Sequence, residues 1–139
     1  MRTYTALIIL AAALIPLALC AADQDISGKW VYEKQVGDAD GKSYPHRTEM
    51  NLKQEGDKLT GTVVQTSEAP WMREITGRSF EITDGKVDGN KVSFRIQIET
   101  SRNQRVSQYD GAVEEGHFKG TLKFRGIGIT EKFDAKRTQ

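Results

Sequence analysis

Val87-Asp88-Gly89-Asn90-Lys91-Val92 carries an acidic residue, a glycine, an asparagine, a lysine and then an apolar side chain. Gln54-Glu55-Gly56-Asp57-Lys58-Leu59 repeats that pattern, and Val113-Glu114-Glu115-Gly116-His117-Phe118 is a looser third version. Downstream, Leu59-Thr60-Gly61-Thr62 returns as Phe118-Lys119-Gly120-Thr121. Glycine beside Asn or Asp at a two-residue tip accepts the positive φ that tight hairpins require. The chain therefore reads as a meander of antiparallel strands.

Working outward from these tips, turn residues punctuate eight strands. They are expected at 28–36, 48–54, 58–65, 78–87, 91–100, 105–114, 117–124 and 129–137, with a bulge at Gly85. A long polar loop is expected over 37–45, and an irregular connection containing Pro70, Trp71 and Met72 over 66–76. Alternation assigns the buried face. Val92, Phe94, Ile96 and Ile98 form the clearest inward row. Tyr109, Gly111 and Val113 continue it, then Phe118, Gly120, Leu122 and Phe124, with Phe133, Ala135 and Arg137 closing it. Inward glycines at 61, 111 and 120 suit strong coiling, where a side chain would crowd the interior. The expected fold class is all-β: an eight-stranded antiparallel up-and-down meander closing into a small barrel, which removes the exposed edges.

The ends bound the compartment. Arg2 is the only charge before Asp23, and residues 6–19 are almost wholly Ala, Leu and Ile. This is the pattern of a secretory signal peptide over 1–22, too short for a comfortable membrane span, with cleavage after Ala22. Leu17-Ala18-Leu19-Cys20 also resembles a bacterial lipobox, so Cys20 is a candidate for lipidation, although Leu19 departs from the usual small residue there. Either way the single domain, 23–139, is expected to be exported to the periplasm or beyond, free or anchored to the envelope. Losing Arg2 from 20 basic residues balances them against 19 acidic ones. A balanced chain argues against nucleic acid as the main partner. With Cys20 the sole cysteine, no disulfide or thiol nucleophile is available within the domain.

The first strand opens on Gly28-Lys29-Trp30, directly after the export signal. This resembles the Gly-X-Trp signature that begins the first strand of lipocalins and the wider calycin group. The resemblance implies a barrel whose Trp30 plugs one end, with a basic residue near the last strand packed across the indole. Arg137 is the position that matches, with Lys136 second. It also implies, more weakly, a pocket. The chain is shorter than true lipocalins and shows no helix beside its last strand. It is more similar to small secreted bacterial domains of lipocalin-like shape whose function is uncharacterised.

An enzyme is hard to assemble from these residues. His46 and His117 both stand beside expected turns, where a solvated role is expected, and no His-x-His or His-x-x-x-His spacing marks a metal site. The acidic pairs Asp38 and Asp40, Asp84 and Asp88, and Glu114 and Glu115 sit at turn tips, without an EF-hand pattern. Glu81, Glu99 and Asp110 lie on strands but alternate outward, which leaves no facing carboxylate pair. No catalytic residue, metal or cofactor is expected.

The candidates for ligand contact are Trp71 and Met72, as a binding lip or a lid over the barrel end, and Phe94, Tyr109 and Phe118 on the inner face. Those three aromatics are most simply read as core. Arg73, Arg78 and Arg102 are candidates for charge at a pocket mouth. The expected function is non-enzymatic binding of a small apolar or amphipathic ligand. The alternative is an extracytoplasmic interaction or structural module with a filled interior and no small ligand.

Overall fold

The computed structural model describes residues 25–138. The expected signal segment 1–22 and the lipidation candidate Cys20 lie outside the described residues. Eight antiparallel strands run in chain order around a closed barrel. They are β1 (Gly28–Gly37), β2 (Ser43–Glu55), β3 (Lys58–Ser67), β4 (Ser79–Asp88), β5 (Lys91–Glu99), β6 (Gln104–Glu114), β7 (His117–Phe124) and β8 (Ile129–Thr138). The barrel closes where β8 returns to β1, pairing Trp30 with Arg137. Among the described residues, no helix is long and apolar enough to cross a membrane.

The repeated tips all lie at one end and share one structural job. Gly56 and Gly89 take positive φ (64° and 60°) at the first tip position, while Glu115 and Gly116 are both positive (51° and 77°). Each tip then offers a carbonyl to the strand beyond its own hairpin. Val87 N–H donates to Asp57 O at 2.8 Å, Val113 N–H to Asn90 O at 2.8 Å, and Arg137 N–H to Gly116 O at 3.2 Å. The recurring sequence phrase is thus a recurring stagger, and stagger is what closes a sheet into a barrel.

Bulges add curvature. Register shifts occur between Leu59 and Thr62 on β3, and between Thr83 and Lys86 on β4 around Asp84 and Gly85. Gly111 and Gly120 face each other across β6 and β7. A Cβ at Gly120 would collide with the carbonyl of Asp110, so the close approach at this seam needs the bare backbone.

At the tip end the interior is solid. Trp30, Phe94, Tyr109, Phe118, Met50, Ile96 and Val63 are fully buried. The rings interlock: Phe94 stacks on Tyr109 with centroids 4.8 Å apart, and Phe118 meets Phe133 edge-on at 4.9 Å. Trp30 meets Phe118 edge-on at 6.2 Å, its Nε1–H donates to Ile26 O at 2.9 Å, and Arg137 Cζ lies 4.6 Å from the indole centre. The Arg137 guanidinium also donates to Ser27 O and Asp25 O at 2.9 and 2.7 Å, tying down the segment that leads into β1. Ile26, fully buried, completes this plug.

Three sequence expectations are corrected. The polar loop over 37–45 is confined to 38–42, because β2 begins at Ser43 and runs along the end of β1, with Gln35 opposite Pro45 and Val36 opposite Tyr44. His46, expected in a solvated turn, therefore sits on the inward face of β2 and is only 4% exposed. The irregular connection after β3 shifts by two residues, from 66–76 to 68–78, and holds one 3-10 turn, Pro70–Met72.

Candidate functional site

The end opposite the hairpin tips is open. The connections 68–78, 100–103 and 125–128 border a cup of about 750 Å³ in the barrel mouth. Its walls are the last inward residues of the apolar rows: Val36 from β1, Ile98 from β5, Leu122 and Phe124 from β7, and Ile129 from β8. Trp71, Met72 and Ile75 from the long connection and Ile127 from the last loop extend the walls to the rim.

Below the apolar walls, the same alternation places polar side chains. Lys34 lies two positions beyond Tyr32 on β1, Gln65 two beyond Val63 on β3, and Glu131 two before Phe133 on β8. Together with His46 they line the cup. Lys34 and Glu131 form an ion pair across the floor. The Tyr32 and Tyr109 hydroxyls lie 3.5 Å apart, and Thr48, opposite Tyr32, and Ser107, opposite Phe124, are fully buried. Polar side chains therefore stand between part of the cup and the aromatic plug, while Ile98 and Leu122 join the cup wall to the buried cluster of the plug.

His46 is the least ordinary of these polar side chains. Its Nε2 is 3.2 Å from Thr48 Oγ1, while its Nδ1 is buried with no hydrogen-bond partner among the described residues. Burial first, then the neighbouring Lys34, hold its pKa below the usual histidine range, with Glu131 opposing them weakly. The imidazole is thus neutral near pH 7. A native pKa below the unfolded value contributes stability that is present above about pH 6.5 and is lost as pH falls through the native value. The melting temperature is therefore expected to drop more between pH 7.5 and pH 5 in the native sequence than in His46→Leu. Equal drops, measured by thermal circular dichroism, would contradict this assignment.

The rim is organised by hydrogen bonds between loops. Glu74 accepts from Ser101 N–H at 2.7 Å and Ser101 Oγ at 2.5 Å, joining the 68–78 connection to the 100–103 turn. Those bonds hold its pKa below the usual carboxylate range. Trp71 packs edge-on against Tyr44, with centroids 5.5 Å apart, yet stays 54% exposed. Met72, half-buried, lines the cup beside it.

The structure brings together some of the sequence candidates and separates others. Trp71 and Met72 stand at the mouth, whereas Phe94, Tyr109 and Phe118 pack into the solid half and are not among the lining residues. Gly28, Trp30 and Arg137 form the plug at the far end, where the backbone of Gly28 takes a φ of 133°. Arg73 and Arg102 line the cup, joined by Arg105. Arg78 instead braces the wall, donating to Glu99 O at 2.9 Å and lying 5.0 Å over the Phe80 ring. Among the described residues, no group of three or more His, Cys, Asp or Glu side chains is placed to hold a metal ion. No protein-family model, curated protein or solved structure matches the chain.

Proposed function

We propose that this chain is an exported, non-enzymatic, lipocalin-like barrel that carries a small amphipathic molecule in its open end. The observation that carries the reading is the cup itself: about 750 Å³ of space with aliphatic and aromatic walls above a polar floor. That volume falls within the range of pockets that enclose small ligands, and a few polar groups set into apolar walls are their usual composition. Export is supported by the signal-like residues 1–22, and binding over catalysis by the engagement of both carboxylates that line the cup, Glu131 with Lys34 and Glu74 with Ser101. The alternative, an interaction module with a filled interior, accounts for the plug end but leaves the cup without a role.

Native mass spectrometry of the protein purified from its own envelope tests the reading, followed by delipidation and titration with the neutral dye N-phenyl-1-naphthylamine. A co-purifying mass of small-molecule size and a 1:1 complex with the dye are expected. Bare protein that takes up no dye would remove the proposal in favour of the interaction module.

A further inference from the structure

We infer that the polar end of the ligand is an anion held at the rim by Arg73, Arg102 and Arg105, its aliphatic part descending into the cup. This rests on the reading of the cup as a ligand site. The charged residues lining the cup, His46 aside, are Lys34, Arg73, Glu74, Arg102, Arg105 and Glu131. Lys34 and Glu131 neutralise each other at the floor. Glu74 is turned toward Ser101, which occupies both its oxygens. Among the described residues, none of the ion pairs involves the three arginines. The lining thus carries a surplus of positive charge, in a chain whose overall charge is close to zero.

The three come from adjacent segments. Arg73 directly follows the 3-10 turn, Arg102 lies in the turn after β5, and Arg105 is the second residue of β6. The Glu74–Ser101 bonds hold the first two segments side by side. Guanidinium forks suit carboxylate or phosphate oxygens, with bidentate geometry available to each. An inverted pose, head-down, would bring an anion to a floor where Glu131 already satisfies Lys34 and where His46 is neutral.

The apolar side chains agree with this direction. Trp71, Ile127 and Ile129, exposed at 54, 52 and 50%, are the large exposed hydrophobic residues among those described, and all three line the same mouth. An aliphatic chain leaving a rim-bound head would cover them. An exposed apolar cluster encircling an opening is otherwise unfavourable in water.

Calorimetry with four monomeric amphiphiles of equal chain length tests the inference: dodecanoate, dodecyl phosphate, dodecanol and dodecyltrimethylammonium. The two anions are expected to bind about tenfold more tightly than dodecanol, and the cation more weakly than dodecanol. The triple variant R73Q/R102Q/R105Q, all three positions being exposed, is expected to abolish the anion preference, read as the ratio of anion to dodecanol affinity within the same variant. Tighter binding of dodecyl phosphate would assign a phosphate monoester head, and of dodecanoate a carboxylate. Equal affinity for anion and alcohol, or an anion preference that survives in the triple variant, would overturn the inference with the cup reading intact. Failure of all four to bind would take the cup reading down, and this inference with it.

Discussion

Trp30→Ala is expected to lower the unfolding free energy by about 4 kcal/mol, the upper part of the range for large-to-small changes in a packed core. The indole is wholly buried at the plug and links three elements. It lies opposite Met50 on β2 and Arg137 on β8, and its edge meets Phe118 on β7. Truncation removes apolar contact, leaves a cavity between rings that have little room to collapse, and frees the Ile26 carbonyl that accepted Nε1–H. For a domain of this size, total stability is of order 5–15 kcal/mol, so the loss is a large fraction of it. Denaturant unfolding followed by far-ultraviolet circular dichroism measures the change. Trp30→Phe, which keeps a ring but not the donor, is expected to lose less than half as much. Arg137→Ala is also expected to cost less, since the cation lies at the surface of the plug. A loss below about 1 kcal/mol for Trp30→Ala would mean that the plug does not hold the barrel together.

Why this end of the molecule was legible, and the other was not, follows from what alternation records. A two-residue tip is local chemistry, so Gly56-Asp57 and Gly89-Asn90 announce hairpins without reference to any distant partner. The inward row Val92, Phe94, Ile96 and Ile98 is equally local, since every second side chain of a strand faces the same way. The start of β2 depends instead on a distant partner. Ser43, Tyr44 and Pro45 have little strand preference together, and they are extended because the end of β1 runs alongside them. Pairing across the sheet overrides propensity there. His46 goes with that boundary, and counting back by twos from Met50 through Thr48 reaches it.

Depth along the barrel is a second quantity that alternation omits. Phe94, Tyr109 and Phe118 qualify as candidate ligand contacts only by facing inward. What places Phe94 and Phe118 in the solid half is their nearness to the hairpin tips, four residues after Asn90 and two after Gly116, whereas Tyr109, opposite Leu122, joins them by stacking on Phe94. Leu122, Phe124 and Ile98 lie further along the same rows and reach the cup. The polar floor is hidden in the sequence for a related reason. Lys34, Gln65 and Glu131 are inward by position but not by character, so a search for apolar periodicity passes over them. Their signal was the continuation of each row past its last apolar member.

The central claim is a divided interior, with a solid aromatic half below and a ligand-accepting cup above. The double variant Ile98→Trp/Leu122→Trp tests it most directly, since both residues are buried, face inward and line the cup without belonging to the aromatic plug. The added indoles have open space to enter, so an unchanged circular dichroism spectrum is expected. They would displace about three methylenes of a bound chain, each worth about 0.8 kcal/mol. Dodecanol affinity measured by calorimetry is therefore expected to fall about 50-fold. Affinity unchanged in a correctly folded double variant would place the ligand outside the barrel mouth and contradict the account.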